Sequence, residues 1–337
     1  MFDCDLPIIQ APMAGGPDTP ALAAAVCNAG GLGSLGCAYL TPAQIEAAAA
    51  DLRARTAAPF ALNLFVRADV PDDRAAQARV APILDEFRRE LGVTAATTTR
   101  SSPRFEDQLE AILRIAPRVF SFTFGVPTTD QLAAVRARGI AIVGTATTVE
   151  EASTLDAAGV DAICAQGAEA GGHRGTFVGR FEDALIGTLA LVPQIVRVTR
   201  RPVIAAGGIM TGAAIRAALS LGAAAVQLGT AFMCCDEAGT NAPHRAALAT
   251  AHATTITRAF SGRAARGIRN RMTDAFATVE AAPFPQQQAL TAELRRAAAQ
   301  QGRTDLMQLW AGQGAPLVRA MPAGELVATL AREAGLR

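Results

Sequence analysis

Lysine is absent from this chain: all 31 basic side chains are arginine, set against 30 acidic ones. That absence removes chemistry. Schiff-base aldolases, pyridoxal phosphate enzymes and P-loop nucleotidases each place a lysine amine at the reacting carbon or on the phosphate. Aromatic residues are scarce at 5%, too few for a surface on which bases stack. A formal net charge of +1 supplies no field for nucleic acid or anionic lipid. No apolar run approaches the roughly 18 residues of a membrane span, and Asp3 and Asp5 stand where a secretory leader carries positive charge. The expectation is a soluble, cytoplasmic protein with no nucleic-acid or membrane partner. Cys4, Cys27, Cys37, Cys164, Cys234 and Cys235 form no CxxC pair, so neither a zinc nor a dithiol site is expected, and no metal at all. No GxGxxG fingerprint follows a strand, so a separate dinucleotide domain is not indicated.

What the chain does have is small aliphatic bulk. Half of its 337 residues are hydrophobic, enough for one large core. Short apolar runs begin near Pro7, Leu32, Phe60, Val119, Ala141, Ala162, Pro202 and Ala225, separated by helical stretches. This alternation predicts a parallel sheet, and eight units favour an α/β fold of the (β/α)8 TIM-barrel type over a doubly wound sheet. Thr41 before Pro42, Thr148 with Glu151 as a capping box, and Thr211 mark helix starts; Gly222 marks a stop. Residues 1–230 are assigned to the barrel, with an excursion at 67–117 holding a charged helix and a threonine and serine loop. Residues 231–337 are assigned to a helical extension that completes the barrel and caps its mouth.

Two glycine stretches, AAGGI at 205–209 and VQLGT at 226–230, end the last two strands. Their amides would converge on an anion at the strands' carboxyl ends, the phosphate-binding place of such barrels. Either stretch alone is equally compatible with glycine used for packing. After the sixth strand comes QGAEAGGHRGTF from Gln166. Gly171 and Gly172 let backbone approach a flat ligand and leave His173 projecting, where a neutral imidazole can take a proton. A solvent-exposed loop histidine is the plainer alternative. Asn63, in ALNLF, must find hydrogen-bond partners within an apolar strand, either a ligand's polar edge or a neighbouring strand end; Gln166 and Gln227 pose the same choice. Met13, in QAPM, fits core packing equally well. His244 and His252 are read as structural or surface residues.

These residues together resemble the nitronate monooxygenases, formerly called 2-nitropropane dioxygenases, an FMN-dependent barrel family. The resemblance runs from QAPM through NLF, SFTFG (121–125), GAEAGGHRG, AAGGI, QLGTAF, TRAFSGR (257–263), ARGIRNR (265–271) and WAGQGAP (310–316). It implies that Gly208, Gly229 and Thr230 hold the FMN phosphate, with Gly207 also at the cofactor. Ala11, Pro12, Met13, Asn63, Gln166, Gly171, Gly172, Gln227 and Leu228 would contact the rest of the cofactor. His173 would be the catalytic base; Met13, Phe122, Phe124 and Ser261 would face the substrate. Some relatives surround the substrate with tyrosines, whereas this chain has only Tyr39. The implied reaction is oxidation of an alkyl nitronate by O2 to a carbonyl compound and nitrite, without NAD(P)H. The alternatives are an FMN-dependent NAD(P)H reductase of the enoyl-reductase or quinone-reductase type, and a non-catalytic FMN sensor. Oligomeric state stays open at this stage, a homodimer included.

Overall fold

A computed structural model describes residues 1–66, 71–94 and 103–336; the threonine and serine stretch expected at 97–102 lies outside them. Eleven strands are present among these residues: β1 Ile8–Gln10, β2 Gly33–Gly36, β3 Phe60–Phe65, β4 Val119–Thr123, β5 Ala141–Ala146, β6 Ala162–Gln166, β7 Gly172–His173, β8 Val203–Ala206, β9 Ala225–Leu228, β10 Thr254–Thr257 and β11 Ala265–Ile268. Eight of them pair in parallel in the order β1-β9-β8-β6-β5-β4-β3-β2. The ends of that order meet at a bridge between Ile9 and Leu32, where Gln10 N donates to Leu32 O at 2.9 Å and Leu32 N to Ile8 O at 3.0 Å. The sheet is a TIM barrel.

Side chains sort by the two-residue period of a strand. Ile8, Leu62, Phe120, Ile142, Ile163 and Val226 join the core between strands and helices. Their neighbours Ile9, Ala61, Val119, Val143, Ala162 and Ala225 fill the barrel interior. The β1–β2 seam carries few ladder bonds, and side chains complete it. Gln10 Oε1 accepts from Ser34 N at 2.9 Å, and Asp18 Oδ2 accepts from Met13 N at 2.7 Å and Gly36 N at 2.6 Å. Burial pushes the Asp18 carboxyl up to about 6.

Thr41 and Thr211 cap the helices Pro42–Arg55 and Gly212–Ser220. Thr148 caps Val149–Ala157, accepting from Glu151 N at 3.1 Å, but the expected reciprocal half of that box is replaced. The buried Glu151 carboxylate turns to Thr147 N and Oγ1, Phe177 N and Val178 N, tying down the loop that follows His173.

The stretch at 67–117 is not all excursion. Helix Phe105–Ile115 buries Phe105, Leu109, Ile112 and Ile115 in the barrel's outer core. What departs from the repeat is helix Arg74–Leu91, whose Val80, Leu84, Phe87 and Leu91 join Phe260, Met272, Leu294 and Leu306 in a second core. Arg88 crosses to Glu293 at 2.8 Å, both nearly buried. Helix Ala323–Glu333 returns to the barrel wall, where Glu333 Oε2 accepts from Gly212 N at 3.0 Å. No helix among the described residues is long and apolar enough to cross a membrane.

Candidate active site

At the carboxyl ends of the strands lies a cavity of about 590 Å3, within the roughly 300–1,000 Å3 of small-molecule sites. One end of it is backbone. β8 runs into Gly207 and Gly208, with φ of 118° and 70°, angles that a side chain strains to adopt. β9 runs into Gly229 and Thr230, which open a single 3-10 turn. All four line the cavity. From the far end of the chain, Gly312 N donates to Thr230 Oγ1 at 2.9 Å and Gln313 N to Glu169 O at 2.9 Å. A Cβ on Gly171 would stand 2.5 Å from Gly312 N and 2.6 Å from Ala311 C, so the loop after β6 touches this segment backbone to backbone. The Glu169 carboxylate receives Thr188 N at 2.9 and 3.0 Å and Thr188 Oγ1 at 2.9 Å, bracing the loop on the start of helix Thr188–Val198.

His173 is carried by the small antiparallel sheet β10-β11-β7, paired with Ala265. Its Nε2 lies 2.8 Å from Ser261 Oγ, and Ser261 Oγ lies 3.1 Å from Arg263 O. The Ser261 hydroxyl also accepts from Arg263 N at 3.3 Å and has one proton to give, to Arg263 O or to Nε2. The first choice puts the imidazole proton on Nε2 and the lone pair on Nδ1; the second puts them the other way round. The ring sits edge-on to Phe65, Phe124, Phe284 and Trp310, centroids 5.7–6.1 Å away. Arg174, the next residue, is 1% exposed. It donates to Gly167 O, Gln166 O and Ala184 O at 2.6, 3.0 and 3.2 Å, and burial pulls its guanidinium down to about 10.

The cavity brings together most of the residues singled out from the sequence. Ala11, Pro12, Met13, Asn63, Gln227 and Leu228 line it, as do Gln166, Gly171, Gly172, His173 and Phe124. Asn63 Nδ2 donates to Ser121 Oγ at 2.9 Å. Gln166 spends both ends of its amide on the histidine loop, donating to His173 O at 3.0 Å and accepting from Gly175 N at 2.8 Å. Two expectations are corrected. Phe122 does not line the cavity, because the strand period turns it outward into the core between barrel and helices, fully buried beside Phe120. Ser261 is likewise 0% exposed and is not part of the cavity lining; it touches His173 instead. Sequence reasoning missed Tyr39, Gln288, Arg295 and Trp310, which also line the cavity. Burial lowers the Arg295 pKa, and its N–H groups go to Gln308 Oε1 at 2.7 Å, Gln288 O at 2.9 Å and Thr291 Oγ1 at 3.2 Å. In ELRRAAAQ it reads as one more solvated helix charge; only the fold aims it inward. Gln288 Oε1 and Thr240 Oγ1, both on the cavity wall, are buried without protein partners. His244 also reaches this wall, with Nε2 donating to Trp310 O at 3.1 Å.

A family model described as Nitronate monooxygenase matches residues 3–333. The chain is 46% identical to a nitronate monooxygenase of Pseudomonas aeruginosa, over 97% of its length and 95% of the relative's. It is 43% identical to one of Paraburkholderia phytofirmans, over 99% and 93%. Among solved structures, a nitroalkane oxidase from Streptomyces ansochromogenes superposes with a TM-score of 0.94 at 42% identity, covering 99% of this chain and 97% of that one. FabK from Thermotoga maritima superposes with a TM-score of 0.77 at 26% identity, over 99% and 94%.

Proposed function

Since the chain belongs to the nitronate monooxygenase family, we propose that it binds FMN in the barrel cavity and oxidises alkyl nitronates with O2, releasing a carbonyl compound and nitrite. The residues present fit the cofactor. Gly207, Gly208, Gly229 and Thr230 form a cradle of main chain at one end, and a Cβ at Gly207 would stand 2.8 Å from Thr188 Oγ1. The orphaned Gln288 Oε1 and Thr240 Oγ1 need hydrogen-bond donors that a ligand can bring. The four turn residues would hold the phosphate, with Ala11, Pro12, Met13, Asn63, Gly171, Gly172, Gln227 and Leu228 against the remainder. Gln166 would act by fixing the loop. Bound FMN supplies a two-electron oxidant that O2 can restore.

The chain's own part is proton handling and exclusion of water. His173 Nδ1 accepts the α-proton of a neutral nitroalkane, while Nε2–H stays hydrogen-bonded to Ser261 and keeps the ring from turning. The nitro group stabilises the resulting carbanion, so a neutral imidazole is a strong enough base. A preformed nitronate has already lost that proton and needs no base. Phe65, Phe124, Phe284 and Trp310 surround the imidazole and keep the exchange dry. All six cysteines are free, which suits a reducing, cytoplasmic setting.

The observation that carries this reading is one cavity with a main-chain anion cradle at one end and a hydrogen-bonded histidine on its wall. Purified protein should be yellow and release nitrite from ethylnitronate under air. A colourless protein that refuses added FMN would overturn the reading, and rapid anaerobic bleaching by NADH would replace it with a reductase.

A further inference from the structure

A second cavity, about 660 Å3, opens beside the first, and Phe124 borders both. Its border is rich in arginine: Arg79, Arg174, Arg180, Arg258 and Arg263. Two of these are neutralised, Arg79 by Glu280 at 3.2 Å and Arg180 by Glu182 at 3.6 Å. The remaining bordering carboxylate, Asp73, accepts from Ala76 N at 2.8 Å as a helix cap. Among the described residues no carboxylate stands within ion-pair distance of Arg174, Arg258 or Arg263. The field of Glu151 reaches Arg174 and Arg263, but its oxygens are taken by Thr147, Phe177 and Val178.

Buried cations without counter-ions are unfavourable unless something completes them. Arg174 is 1% exposed, and its Nε and that of Arg263 have no acceptor. Burial brings both guanidinium groups down to about 10, so both remain charged at neutral pH. Arg263 stands over the Phe124 ring, 3.7 Å from its centre, and donates from Nη2 to Thr176 O, while Arg258 lies 4.9 Å from the ring centre of Phe181. A stacked guanidinium keeps its N–H edge for a planar oxyanion.

We propose that this chamber binds a small planar oxyanion, a carboxylate or nitrite, gripped by Arg258 and Arg263 with Arg174 behind them. An occupant would take the N–H edge of Arg263 while its guanidinium stays over Phe124. That residue holds a strained φ of 82° and packs 5.7 Å from the His173 ring, so the catalytic side would register the occupant. The assignment stands on the arginines and not on the flavin reading.

Calorimetric titration of the purified protein with sodium nitrite, and separately with sodium acetate, at fixed ionic strength tests it. One site per chain is expected. Arg258 is exposed, so R258E should fold and weaken binding roughly tenfold or more. R180Q, which alters an arginine already paired, should bind within about twofold of the parent. The tighter anion identifies the source, reaction product or external carboxylate. Acetate binding by a protein that makes no nitrite would keep the site and remove only the reaction. Failure of both anions to bind, or equal binding by R258E, overturns the proposal.

Discussion

His173 Nε2 and Ser261 Oγ lie 2.8 Å apart across 88 residues of sequence, and that contact holds the imidazole at the cavity wall. The proposed function puts the serine proton on Arg263 O and makes Nδ1 the base. His173→Asn should therefore abolish turnover of neutral nitroethane, a loss of about 10²–10⁴-fold, and spare much of the ethylnitronate reaction. Oxygen uptake with each substrate measures this. Equal losses would remove the base assignment.

In the proposed function Ser261 acts through the histidine it touches, as a positioning residue. Ser261→Ala should lower kcat for nitroethane by roughly tenfold with little change in KM, and displace the acid limb of the pH profile. Ser261→Thr retains the hydroxyl and should recover most of the rate. A change confined to thermal stability would reduce the contact to packing.

Gly171 meets Ala311 and Gly312 backbone to backbone. Gly171→Ala puts a methyl into that contact, and neither main chain can yield cheaply. A loss of about 1–3 kcal/mol in stability is expected, together with weaker FMN retention on gel filtration, because Gly312 also supports Thr230.

The Arg88–Glu293 pair joins helix Arg74–Leu91 to the carboxyl-terminal helices inside the second core. Glu293 Oε2 already lacks a partner. Arg88→Met would leave a buried carboxylate unpaired, costing about 3–5 kcal/mol by urea titration. Adding Glu293→Leu should restore much of that loss, and no restoration would show the pair to be incidental.

Burial pushes His244 down to about 4 from the ordinary 6.5. The unfolded chain takes a proton near 6.5 and the folded one resists it, so stability present above pH 6.5 is lost as the pH falls toward 4. The loss amounts to about 3 kcal/mol. His244→Gln, which still offers a donor to Trp310 O, should flatten that limb of a stability-against-pH curve. An unchanged slope would place the titration elsewhere.

The starts of the barrel strands were legible because each is a local pattern. Phe60, Val119, Ala141, Ala162 and Ala225 begin strands where the apolar runs begin. The glycine turns were legible for a similar reason, since positive φ at Gly207 and Gly208 is a property of the residue itself. Phe122 and Phe124 stand two residues apart, so a continuous strand would put both on one face; β4 ends at Thr123 and Phe124 turns off it with φ of 82° into the cavity wall, which the run alone does not reveal. Arg295 was missed because its neighbours Gln288 and Gln308 come together only when helix and loop pack.

By itself, then, the sequence determined the eight β/α units, the main-chain turns after β8 and β9 and the loop bearing His173, all of which follow from residue type and short-range periodicity. Tertiary structure alone decided that Ser261 contacts His173, that helix Arg74–Leu91 shares a core with the carboxyl-terminal helices, and that five arginines, two of them ion-paired among the described residues, border a second cavity beside Phe124. Those relations join segments tens to hundreds of residues apart. Packing and charge compensation select such contacts only after the barrel has fixed which segments are neighbours.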